Sequence, residues 1–144
     1  MKHIRTLTTI VLLLTAVSFY LQAKERPLLT ATVPFAFVVA NVELPAGRYT
    51  VSILPPYNMI QVQSADGRKV ATISAIPSQK SADSTQAKLV FHRFGDEYFL
   101  AQVWEQGSNI HRDLQSGNRA REFASKGEQP ESVTILAPTG KGSH

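Results

Sequence analysis

The sequence predicts a mainly β fold, an antiparallel β-sandwich or small flattened barrel of about seven strands with one short C-terminal helix. Three observations predict it. Apolar residues recur with period two in short stretches, the pattern of strands with one buried face. Turn residues such as Pro45-Ala46-Gly47, Asp66-Gly67 and Gly95-Asp96 separate those stretches at close spacing. Only Asn118 to Lys126 carries helical spacing, between a capping asparagine and a stopping glycine, Gly127.

The N-terminal stretch reads as an address rather than as part of the fold. Lys2, His3 and Arg5 form a positive start, and Leu7 to Leu21 follows without a charge. Charge returns at Lys24-Glu25-Arg26. That arrangement predicts a secretory signal peptide over residues 1–23, cut between Ala23 and Lys24. The competing reading is an uncleaved membrane anchor. The uncharged run is about 15 residues long and carries Thr8, Thr9, Thr15 and Ser18, whereas a span needs about 20 apolar residues. The prediction is therefore an exported protein, periplasmic or secreted, that meets the membrane only through its signal peptide.

Residues 24–144 form a single β-rich domain, with a frayed tail from about 138. The whole chain has 15 basic and 11 acidic residues, a net charge of +4. Removing residues 1–23 takes away Lys2 and Arg5, so 15 − 2 = 13 bases face 11 acids and the net charge falls to +2. The nearest thing to a basic stripe, Arg112, Arg119 and Arg121, is broken by Asp113 and Glu122, which argues against nucleic acid. The chain has no cysteine, excluding a disulfide framework, a zinc ribbon, a thiol nucleophile and a lipid-modified cysteine anchor.

In Thr32 to Val39, Val33, Phe35, Phe37 and Val39 share one face, and Pro34 places the strand's start or a sheet edge there. Leu44-Pro45-Ala46-Gly47 is a tight turn, after which Tyr49, Val51 and Ile53 alternate with Thr50 and Ser52. Pro55-Pro56-Tyr57-Asn58 stops that strand, and Met59 to Gln63 is a short one. Ser64-Ala65-Asp66-Gly67 predicts a type I′ hairpin, with Lys69 to Ile76 as the partner strand ended by Pro77. Ser78 to Gln86 reads as an exposed loop and the most mobile segment.

Ala87 to Glu105 predicts a hairpin turning at Gly95-Asp96, pairing Arg93 with Tyr98, Phe91 with Leu100 and Leu89 with Gln102. That register sets Leu89, Phe91, Tyr98, Leu100 and Trp104 on the core face, and a one-residue slip would exchange the faces. Asn118 is the expected N-cap of a short, mostly exposed helix with Phe123 as its one large apolar residue. Val133 to Ala137 is the last predicted strand.

Chemistry is sparse. A metal site needs three or four convergent ligands, and His92, His111 and the tail residue His144 offer no such spacing, so no metal or other cofactor is expected. No Gly-x-Ser-x-Gly elbow and no glycine-rich phosphate loop is present. Ser64, Asp66 and His92 form a triad only on paper, because triads are recognised by geometry and Asp66 belongs to its turn. Asp96-Glu97, the only adjacent acid pair among residues 24–144, fits turn chemistry and solubility. Arg93, Tyr98 and Trp104 are the candidate ligand or partner surface, as an arginine over aromatic rings. The plainer reading is a core lined by Tyr98 and Trp104 with Arg93 at its rim.

Two stretches carry a resemblance. Val33-Pro34-Phe35-Ala36-Phe37-Val38-Val39 with Asn41, continued by Leu44-Pro45-Ala46-Gly47-Arg48-Tyr49-Thr50-Val51, is the first. Lys88 to Asp96 with Tyr98-Phe99-Leu100 is the second. Together they resemble a group of small exported uncharacterised bacterial proteins, a likeness that implies export and brings no activity or site residue. The Leu-Pro-Ala-Gly-x-Tyr-Thr-Val piece is also similar to prealbumin-like β-sandwich modules. The expected function is a non-catalytic module that binds an envelope or extracellular partner. The alternatives are a carrier barrel for a small apolar ligand and a hydrolase with an unrecognised site.

Overall fold

The computed structural model describes residues 26–80 and 84–138. The predicted cleavage point at Ala23 and Lys24 lies outside the described residues, as do the centre of the 78–86 loop and the tail beyond 138.

The chain is mainly β, with one short helix among the described residues, and its strands form an open, flattened sheet. Among the described residues there are ten strands, against about seven expected. They are β1 (Arg26–Val33), β2 (Phe37–Val39), β3 (Val42–Leu44), β4 (Gly47–Leu54) and β5 (Met59–Ser64). Then come β6 (Val70–Gln79), β7 (Lys88–Phe94), β8 (Glu97–Trp104), β9 (Ile110–Leu114), the helix α1 (Asn118–Ser125) and β10 (Glu131–Leu136). The order through the sheet is β1-β4-β5-β6-β9-β8, with β8 also pairing β7 and β2. Beyond these, β7 pairs β10 and β2 pairs β3.

Two strands are shared. Val70 to Ser74 of β6 pair with β5, while Ala75 to Gln79 pair with β9, so β6 turns the corner between the two halves of the fold. On β8, Gln102 to Trp104 pair antiparallel with β9, while Phe99 bridges Val38 of β2 in parallel. The inward residues of both halves meet in one core. Phe37 is its hub, edge-on to Tyr49 at 5.1 Å and to Phe91 at 5.3 Å, and all three are buried.

Several expectations are corrected. The single strand 32–39 is two, because Val33 ends β1 and the chain bends through Pro34 to Ala36 before β2. The inward set nevertheless holds: Val33, Phe37 and Val39 are buried and Phe35 packs against them. Pro77 does not end β6. Ala75 N–H donates to Asn58 O on the β5 side, so with period two the Pro77 nitrogen also faces away from β9, where no ladder donor is needed. Ser78 accordingly lies in a strand, not a loop.

Between β5 and β6, only Gly67 takes positive φ (72°) and its N–H donates to Ser64 O. A type I′ turn needs positive φ at both central residues, so this is a type I turn followed by a left-handed glycine. Gly95 (φ 60°) alone is left-handed in the β7–β8 turn, the type II′ pattern.

The β7–β8 register keeps Arg93 opposite Tyr98 and Phe91 opposite Leu100. A bulge at Ala101 then makes Gln102 face Val90 and Val103 face Leu89. The slip moves Val103 into the core and puts Trp104 on the outer face, reversing the expected placement of both.

Helix α1 starts one residue earlier than expected, with Gly117 at the N-cap and Asn118 as the first helical residue. At the other end Gly127 N–H donates to Ala124 O and Glu128 N–H to Phe123 O, the paired bonds of a Schellman stop. The helix packs on the outside of the sheet through Ala120 and Phe123, against Phe94, Phe99 and Val38. Phe123 stacks on Phe94 at 5.3 Å with the rings 9° apart.

Candidate functional site

Seating α1 outside the sheet leaves a recess of about 530 Å³ between its first turns, the β2–β3 hairpin and the β7–β8 turn. Its floor is apolar, from Phe37, Val38 and Tyr98. Its rim is acidic: Glu43 from β3, Asp96 and Glu97 from the turn, and Glu122 from the helix. Two of these are matched. Arg119 Nε donates to Glu97 at 2.6 Å, and Lys126 Nζ to Glu122 at 3.0 Å. Glu97 raises the Arg119 pKa, and Lys126 lowers that of Glu122. Glu43 and Asp96 have no ion-pair partner among the described residues, so the rim carries unmatched negative charge.

Of the three predicted surface residues, one belongs to the recess and a second packs on it from outside the lining. Tyr98 lines the recess and lies flat against Phe35, at 3.8 Å and 15°. The Arg93 guanidinium sits 5.5 Å from the Tyr98 ring, with Nε donating to Gly95 O at 2.7 Å and Nη1 3.7 Å from Glu131. Trp104 is not with them. It lies at the far end of β8, buried between His111, stacked at 4.2 Å, and Lys88, whose Nζ stands 4.7 Å from the ring.

Around Trp104 a polar tape crosses three strands, β8, β9 and β6. Trp104 Nε1 donates to Gln102, whose amide donates to Asp113 at 2.8 Å. Ser78 Oγ donates to the other Asp113 oxygen at 2.6 Å, and His111 Nε2 lies 3.5 Å from that same oxygen. The order is Ser–Asp–His: the serine proton is committed to a carboxylate, whereas a nucleophilic relay passes it to the imidazole. The paper triad does not assemble either. Ser64 bonds Asp66 at 2.6 Å inside the β5–β6 turn, while His92 faces α1 from β7.

Sequence reasoning singled out Tyr98, set the Asp96-Glu97 pair aside as turn chemistry, and missed Glu43, Glu122 and Asn41. Those three come from β3, α1 and the β2–β3 turn, and no spacing in the chain announces that they converge. Comparison with family models, with curated proteins and with solved structures found no match to this chain.

Proposed function

We propose that this is an exported, non-catalytic binding module whose acidic recess beside α1 docks a cationic segment of a partner protein. The observation that carries the reading is the recess itself: unmatched Glu43 and Asp96 stand over an aromatic floor, beside the outer edge of strand β3. A lysine or arginine stem packs against the edge of Tyr98, whose ring already meets Phe35 and Arg93, while its charge reaches the carboxylates. A carrier barrel would hold cargo where Phe37, Tyr49 and Phe91 interlock, which favours the surface reading over the interior one. Export rests on the N-terminal pattern and on the resemblance to exported proteins.

Titration of a lysine-rich twelve-residue peptide, with a glutamate-rich peptide as control, tests the docking. Binding of the basic peptide alone, weakened by salt and reduced about tenfold by Glu43→Gln with Asp96→Asn, is expected. Equal binding of both peptides, or no effect of the double variant, overturns it. For export, the mass of the protein from the exported fraction is expected to begin at Lys24, and an intact N-terminus overturns that part.

A further inference from the structure

On its other flank α1 leaves a second, smaller recess of about 260 Å³ against the outer face of the sheet. Its wall is apolar over Phe94, Phe99 and Leu100, which come from the β7–β8 hairpin, and over Ala120 and Ala124 of the helix. Polar groups reach it from opposite sides: His92 and Asp113 from the strands, Arg121 from the helix. An apolar pocket with a few convergent polar groups is the ordinary form of a small-molecule site.

The hydrogen-bond inventory decides the chemistry of the ligand. Both Asp113 oxygens already accept, from Gln102 and from Ser78, so the acid is committed to the tape described above. Arg121 is exposed and spends a single Nη2–H on Asn118 Oδ1, leaving most of its five donors free. His92 makes no hydrogen bond or ion pair among the described residues. The uncommitted titratable groups are therefore a guanidinium and an imidazole, beside the neutral side chains of Gln115 and Ser116 and above an apolar wall.

We propose that this recess binds a small monocarboxylate with a compact apolar body, the carboxylate on Arg121 and His92 and the body against Phe99 and Ala120. An apolar cavity of about 150 Å³ holds a benzene ring, so 260 Å³ has room for a ring together with its carboxylate. Guanidinium meets carboxylate through two parallel bonds, which gives the site its preference for this head group. The inference is independent of the acidic recess, since it uses none of its carboxylates.

Benzoate is the probe, with neutral benzamide as its isostere and acetate as the charge without the body, followed by amide chemical shifts of the full chain. Benzoate is expected to shift Ala101, Ala120 and Ala124 saturably in the millimolar range, with benzamide and acetate weaker by about tenfold. Arg121→Gln is expected to erase the preference for benzoate, and Arg121→Lys to restore part of it. Ala124→Trp, a change at an exposed helix position, is expected to fill the recess and abolish the shifts while the fold is kept. Equal binding of benzoate and benzamide, shifts located elsewhere, or affinity indifferent to both Arg121→Gln and Ala124→Trp overturns the proposal.

Discussion

The side-chain oxygen of Asn41 accepts the N–H of Asn118 at 3.1 Å, so the first helical residue of α1 is held from a turn 77 positions earlier in the chain. Gly117, just before it, lies so close to that turn that a Cβ there would stand 1.9 Å from the Ala40 carbonyl oxygen. The two contacts join α1 to the β2–β3 hairpin and hold the acidic recess between them.

Asn41→Ala is expected to cost about 1 kcal/mol, the ordinary worth of a lost N-terminal cap. Gly117→Ala is expected to cost about 3 kcal/mol or more, because backbone meets backbone and neither can give. Urea denaturation checks both. A Gly117→Ala protein as stable as the parent would mean that the hairpin and the helix are not in contact.

Tyr49 is buried, its hydroxyl donates to Pro45 O at 2.5 Å, and burial with the charge of Asp66 raises its pKa. Tyr49→Phe keeps the ring edge-on to Phe37 and removes only that bond, so a loss of about 1 kcal/mol is expected. In the parent, ultraviolet titration is expected to show Tyr49 ionising above the ordinary tyrosine range.

Asp66 is held below the ordinary aspartate range by Ser64 Oγ and by the Arg68 N–H. Because the folded value is the lower one, the support this carboxylate lends the β5–β6 turn is present above the ordinary range. That support is lost as pH falls through the lowered value. Carbon NMR of the Asp66 carboxyl is expected to show the low midpoint, and Ser64→Ala to raise it. A midpoint unmoved by Ser64→Ala would remove the hydroxyl from this account.

Trp104 is the only tryptophan, so its fluorescence reports one place. Packed on His111 and 94 % buried, it is expected to emit at short wavelength, and His111→Ala to shift that emission to the red. An unchanged spectrum would show that the imidazole does not cover the ring.

Strand alternation was legible wherever the buried face is apolar: Val33, Phe37, Tyr49, Val51, Ile60, Val62, Leu89 and Phe91 all point inward as their spacing implies. Strand β9 was not legible, because its residues Ile-His-Arg-Asp-Leu bury only Leu114. Arg112, opposite Val103, takes an inward position that apolar patterning would never assign it. Glu105 stands 3.7 Å away, and burial lowers the arginine's pKa against the opposing pull of that carboxylate. Trp104 was misplaced because one extra residue, Ala101, reverses every face beyond it while leaving local hydrophobicity untouched. The acidic recess was half legible. Asp96 and Glu97 adjoin in sequence, but Glu43 and Glu122 reach them only through the pairing of β2 with β8 and the seat of α1.

That pairing also sets an order of events. Phe91 and Leu100 are joined by a tight hairpin and can meet early, whereas Val38 and Phe99 must close 99 − 38 = 61 positions of chain before their single bridge forms. The β2–β3 hairpin and α1 are thus expected to dock last. Pulse-labelled hydrogen exchange during refolding is expected to protect β7 and β8 before β2. A chain caught midway would have its hairpin and no acidic recess, so recognition at that recess would be reserved for molecules that have finished folding.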